Sequence, residues 1–149
     1  MKKRLWQTIF GIYCAGMLFL LFFRAWPEGG RSYRENMLSL LNPVPFETIA
    51  HFIRLLGHRS GDLVRLAAVN LFGNVIMFIP LGFLLPVLFP RLRGFLRTMA
   101  VGCAAIVAVE LTQMLTLLGT CDVDDLILNL AGIALGYPIY LLLKKKDAA

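Results

Sequence analysis

Asp122, Asp124 and Asp125 stand within four positions, at the head of an apolar run that ends near Leu143. Glu110 and Gln113 lie shortly upstream, and Asn70 and Asn74 further back; each pair is spaced to share one face of a helix. These residue types allow three kinds of chemistry. A buried carboxylate such as Glu110 can serve as a general acid or base. Clustered aspartates offer oxygen ligands to Mg²⁺ or Ca²⁺, so Asp122, Asp124 and Asp125 are weak metal candidates, although D-x-D-D is not the spacing of a calcium loop. Amides and carboxylates together can also bind a polar or cationic group without reacting with it. Catalysis lacks its usual companions here: no activated Ser or Cys nucleophile, no His near the carboxylates and no phosphate-binding glycine loop. No cofactor is expected. Cys14 and Cys103 lie inside apolar runs as small hydrophobes, which leaves Cys121 as the reactive thiol, and three cysteines without a CxxC exclude a disulfide framework and argue against zinc.

The elements that must carry these residues follow from composition. Of 149 residues, 58% are hydrophobic and 16% charged, and the mean hydropathy is +0.73. A soluble domain has fewer apolar and more charged residues. The net charge of +6 flanks the apolar runs, so topology and anionic head groups account for it, and no nucleic-acid motif is present. The prediction is an all-α, multi-spanning membrane protein, a bundle of four transmembrane helices forming one membrane domain over 1–149. The spans are about 5–23, 66–89, 95–118 and 126–143. The first is too long for a signal peptide and ends without a small-x-small cleavage site, so it is read as an uncleaved helix between Trp6 and Trp26. Between spans one and two, Phe46–Leu56 alternates as a short amphipathic helix on the membrane surface.

Four spans put both termini on one side, with Lys2–Arg4, Arg91, Arg93, Arg97 and Lys144–Lys146. The positive-inside rule makes that side cytoplasmic. Asn70 and Asn74 then lie roughly 6–12 Å below the outer end of span two, at about 1.5 Å per residue. Glu110 and Gln113 reach a similar depth in span three, and Asp124, Asp125 and Asn129 start span four at the same end. The expectation is a polar pocket in the outer leaflet, built by Asn70, Asn74, Glu110, Gln113, Asp122, Asp124, Asp125 and Asn129. Arg59 and Arg65 are its candidate counter-charges. Asp125, Asn129, Gly132 and Gly136 follow one helical stripe, so the two glycines give span four a close approach to its neighbour. Pro80 and Gly82 are read as architectural.

The same residues carry a family resemblance. Asn70-Leu71-Phe72-Gly73-Asn74, Phe78-Ile79-Pro80-Leu81-Gly82, Glu110-Leu111-Thr112-Gln113 and Asp122–Asn129 with Gly132 and Gly136 resemble the VanZ-like family in order, over about 42–140, as does Val44–Ile49. The resemblance implies a small integral membrane protein of the cell envelope. It points to antibiotic resistance, since the family's founding member is associated with resistance to teicoplanin, a glycopeptide. Members commonly carry an arginine shortly before the aspartates, where this chain has Gly119, Thr120 and Cys121. The partners implied are membrane lipids and a lipid-linked cell-wall precursor, lipid head group or lipophilic glycopeptide in the pocket. The alternative is a membrane-embedded hydrolase or transferase on lipid-linked substrates, using Glu110 and the three aspartates. Oligomeric state is not specified by the sequence.

Overall fold

The computed structural model describes residues 2–22 and 39–147. Trp26 and the arginines at 24, 31 and 34 lie outside the described residues. Five helices account for most of the rest: α1 (Lys2–Phe22), α2 (Glu47–Leu56), α3 (Gly61–Leu88), α4 (Phe95–Thr116) and α5 (Val123–Asp147). A 3-10 turn at Pro90–Leu92 joins α3 to α4. The protein is an all-α membrane protein: α1, α3, α4 and α5 each have the length and apolar composition to cross a bilayer. Such helices hold nearly all their backbone hydrogen bonds within themselves, Pro80, Pro86 and Pro138 being the interruptions, which is what a hydrocarbon solvent demands. Helix α3 starts at Gly61, ahead of the expected 66, because Ser60 breaks the chain in extended geometry just before it.

Helices α3 and α5 form the most extensive contact of the bundle. A Cβ at Gly132 would strike the Val75 carbonyl. One at Gly136 would strike the Ile79 carbonyl, and one at Gly82 the Ile133 carbonyl. Three absent side chains therefore bring two backbones together, so that dispersion acts over a long seam. Ile133 projects from this seam into a core with Phe78, Ile106 and Met17, where both isoleucines are fully buried. Gly102 of α4 leaves the space that the Ile133 side chain fills. Helix α1 is tied on by Tyr13, whose hydroxyl donates to the Met77 carbonyl at 2.9 Å. The outer faces keep large apolar residues exposed, among them Ile12, Phe72, Ile76 and Leu142, as a lipid-facing surface requires.

Between α1 and α3 the chain folds back onto the acidic segment. Leu41–Asn42 (β1) and Cys121–Asp122 (β2) pair as a two-residue parallel ladder, Leu41 opposite Cys121 and Asn42 opposite Asp122. The Cys121 N–H donates to the Leu40 carbonyl at 2.8 Å. Pro43 and Pro45 keep the residues before them extended and so prevent a helix until α2 begins. Helix α2 has no buried residue and leaves Ile53 and the adjoining Phe46 exposed, consistent with a helix lying on a membrane surface.

Candidate functional site

The polar residues of three spans meet at the end of the bundle where α1 and α4 finish and α3 and α5 begin. A cavity of about 570 Å³ opens there, lined by Asn70, Asn74, Glu110, Gln113, Asp125 and Asn129 together with Gly119 and Thr120. Leu20 and Leu21 of α1 close one side and Met77 lies deeper. Antiparallel packing brings these residues together because the C-terminal end of α4 lies beside the N-terminal ends of α3 and α5.

Most side-chain amide donors around the cavity are already committed. Asn70 donates to the Leu66 carbonyl at 2.8 Å, one turn back on its own helix. Gln113 donates to the Leu21 carbonyl at 2.8 Å and so fastens α1 to α4. Asn74 donates to Oδ1 of Asp125, joining α3 to α5. Glu110 is 6% exposed, and its Oε2 accepts a long 3.4 Å bond from the Asp122 N–H. Asn129 is 2% exposed, and its Oδ1 has no hydrogen-bond partner among the described residues. An orphaned carbonyl at that depth costs on the order of 1–3 kcal/mol.

Asp122 and Asp124 do not line the cavity, contrary to the eight-residue pocket expected from the sequence. They face the segment before α2. Asp124 is fully buried, with Oδ1 accepting from the Phe46 N–H at 2.5 Å and Oδ2 from the Ile49 N–H at 2.9 Å. It thus caps the first turn of α2 from a distant part of the chain, where a carboxylate also meets the positive end of the helix dipole. These bonds hold Phe46 at φ 66°, a left-handed conformation that a bulky residue adopts at a cost. Asp122 Oδ2 accepts from the Thr48 hydroxyl at 2.7 Å and the Asn42 amide at 3.2 Å, while its Oδ1 accepts from the Asp124 N–H at 2.8 Å.

The three aspartates therefore diverge, two toward neutral donors of the loop and of the first turn of α2, and one toward the cavity. No group of three or more His, Cys, Asp or Glu side chains is arranged to hold a metal ion among the described residues. Of the three aspartates only Asp125 lines the cavity beside Glu110. Asn42 and Thr48 were not picked out by sequence reasoning. Their signal was a pair of small polar residues around the two prolines, the type that satisfies a buried acceptor.

The two expected counter-charges are elsewhere. Arg59 and Arg65 are exposed, and among the described residues no arginine, lysine or histidine lines the cavity. Cys121, the thiol singled out for reactivity, is half-buried in β2. Burial pushes its thiol above the usual range, and the Glu110 and Asp122 carboxylates add to the shift. A thiol held protonated is a poor nucleophile. Pro80 stands inside α3 and Gly82, Gly132 and Gly136 along the α3–α5 seam, and none of the four lines the cavity.

The fold and this polar end define a multi-pass integral membrane protein. The sequence matches the VanZ/LLP1 family over residues 10–144, and the chain belongs to that family. It is also 28% identical over 147 residues to Protein VanZ of Enterococcus faecium, covering 94% of this chain and 76% of that protein. No solved structure matches it.

Proposed function

We propose that the cavity bounded by Asn74, Glu110, Gln113, Asp125 and Asn129 binds the polar head of a lipid-like molecule in the outer leaflet of the cytoplasmic membrane. The ligand classes that fit are a lipid head group, a lipid-linked envelope precursor or a lipophilic glycopeptide such as teicoplanin. Binding would contribute to glycopeptide tolerance by altering access of the drug or composition of the envelope. Both termini lie in the cytoplasm in this reading. The support is the basic character of the short α3–α4 turn and of the two chain ends.

The observation that carries the proposal is the unpartnered Oδ1 of Asn129, buried against a cavity. The surrounding amides of Asn70, Asn74 and Gln113 already donate elsewhere, so the spare capacity includes this carbonyl and two carboxylates. A site rich in acceptors and lined by no cation among the described residues takes a donor, best a protonated amine or a hydroxyl-rich head. The VanZ/LLP1 membership and the VanZ relative support the link to glycopeptides.

The test is complementation of a deletion strain with the wild type, Glu110→Gln and Asp125→Asn, with membrane insertion and thermal stability measured beside teicoplanin susceptibility. Variants that insert and melt normally but lose tolerance support a binding role. Normal tolerance in both would refute it.

A further inference from the structure

At the opposite end of the bundle a second cavity, of about 530 Å³, opens between α1, α3 and α5. Its walls are apolar, with Trp6 from α1 and Phe83 and Val87 from α3. Trp6 meets Phe83 edge to face, the ring centroids 5.3 Å apart. Arg93 and Lys144 stand over these walls, and no carboxylate lines the cavity among the described residues. Arg93 is carried on the α3–α4 turn, which is fixed from two sides. The Tyr137 hydroxyl donates to the Arg93 carbonyl at 2.7 Å, and the Thr98 hydroxyl donates to the Leu92 carbonyl at 2.6 Å.

Tyr140 completes the wall. It is 5% exposed, and its hydroxyl is buried without a hydrogen-bond partner among the described residues. Burying a phenol without a partner is costly, and a membrane supplies no water to relieve it. The neighbouring Tyr137, one helical turn away, does have its partner, so the helix itself does not force the omission.

A ligand that fits must bring negative charge to two cations, an acceptor to a buried phenol and a hydrocarbon body to an aromatic wall. We propose that this cavity binds an anionic glycerophospholipid. Its phosphodiester lies between Arg93 and Lys144 and accepts from the Tyr140 hydroxyl, and its acyl chain runs along Trp6, Phe83 and Val87. Basic pockets between spanning helices suit such head groups. The apolar wall selects the lipid over free phosphate, and the cations select it over a zwitterionic lipid of the same chain length. The site is distinct from the acidic cavity and depends on neither its ligand nor the orientation of the chain.

The experiment uses full-length protein in mild detergent, with native mass spectrometry and thermal unfolding read during titration with phosphatidylglycerol, phosphatidylcholine or inorganic phosphate. Phosphatidylglycerol is expected to remain bound and raise the melting temperature, and the other two are not. Arg93→Gln with Lys144→Gln should weaken retention about tenfold or more, given two charges near the membrane surface. Arg91→Gln with Lys145→Gln removes the same charge outside the cavity and should change retention less than about twofold, the level of weak, distant screening. Tyr140→Phe should fold as well as the wild type and hold the lipid several times more weakly. Equal losses in the two double variants, equal retention of phosphatidylcholine, or the same stabilisation by phosphate alone would each overturn the proposal. If the Arg93/Lys144 variant fails to fold, Tyr140→Phe decides: unchanged retention refutes the site.

Discussion

At one end of the bundle α3, α4 and α5 turn amides and carboxylates toward a shared cavity. At the other end the bundle meets through aromatic rings, Trp6 on Phe83, Phe10 on Phe89 and Phe95 on Tyr137. The charges divide less cleanly, since Arg54, Arg59 and Arg65 belong to α2, the link after it and the start of α3, on the acidic side. Lys2, Lys3, Arg4, Arg91, Arg93, Arg97 and Lys144–Lys146 belong to the aromatic end, with Asp147 their single carboxylate in the sequence. Every other carboxylate lies between α1 and the first turn of α3 or in the stretch from Glu110 to Asp125. Yet the two ends share a feature. Among the described residues each satisfies nearly all its buried polar atoms from within and leaves one orphan beside a cavity, the Asn129 carbonyl at the acidic end and the Tyr140 hydroxyl at the basic end. In a hydrocarbon solvent an orphan is expensive, so its persistence next to an open volume is a mark of something that enters.

Both ends hang from the α3–α5 seam, so the largest effect should come from there. Gly136→Leu would drive a side chain into the Ile79 carbonyl and is expected to cost more than about 4 kcal/mol, the range of severe overpacking. It should abolish a cooperative melt and ligand binding at both ends. Retained binding at either end would show that the ends do not depend on a common seam.

Asp124→Ala should separate the ends. It removes two hydrogen bonds to a buried carboxylate and is expected to destabilise by about 3 kcal/mol. Limited proteolysis should then cut between residues 43 and 60, while phosphatidylglycerol retention at the basic end stays unchanged. Loss of that retention as well would break the comparison.

Asn129→Leu and Tyr140→Phe sharpen it. Each deletes an orphan, so each should leave the ligand-free melting temperature unchanged or raise it, by up to about 1 kcal/mol of stability. Each should also impair binding only at its own end. A large destabilisation by either substitution would mean that the polar atom has a structural partner.

The smallest effect concerns Cys121. Its thiol is held protonated, so maleimide labelling should lag behind that of a free cysteine at neutral pH and rise only through the alkaline range. Rapid labelling at pH 7 would contradict the burial that gives the acidic end its character.

Much of this was legible in the residues themselves. Apolar runs of spanning length fix four helices, because a bilayer admits no other use of them. Antiparallel order then places Asn70, Asn74, Glu110, Gln113, Asp125 and Asn129 at one level, and the i, i+4 stripe of Gly132 and Gly136 announces a close contact. The direction each aspartate faces was not legible. Asp122, Asp124 and Asp125 look equivalent as neighbours, but successive residues at a helix start point to different sides. Their roles are set by Thr48, Asn42 and the Phe46 and Ile49 amides, far away in sequence. The orphaned atoms were equally hidden, since whether a buried amide or phenol finds a partner is a property of the packed neighbours alone.

The sequence by itself determined a four-span membrane protein with the polar residues of its spans gathered at one end and the cations of its termini and of the α3–α4 turn at the other. Hydrophobic periodicity and charge are local quantities that a bilayer reads directly. Only the tertiary structure decided that two aspartates brace the loop before α2 while one joins the cavity, and that a second cavity opens beneath Arg93 and Lys144. Those outcomes depend on hydrogen-bond partners and close backbone contacts that exist only once distant segments have met.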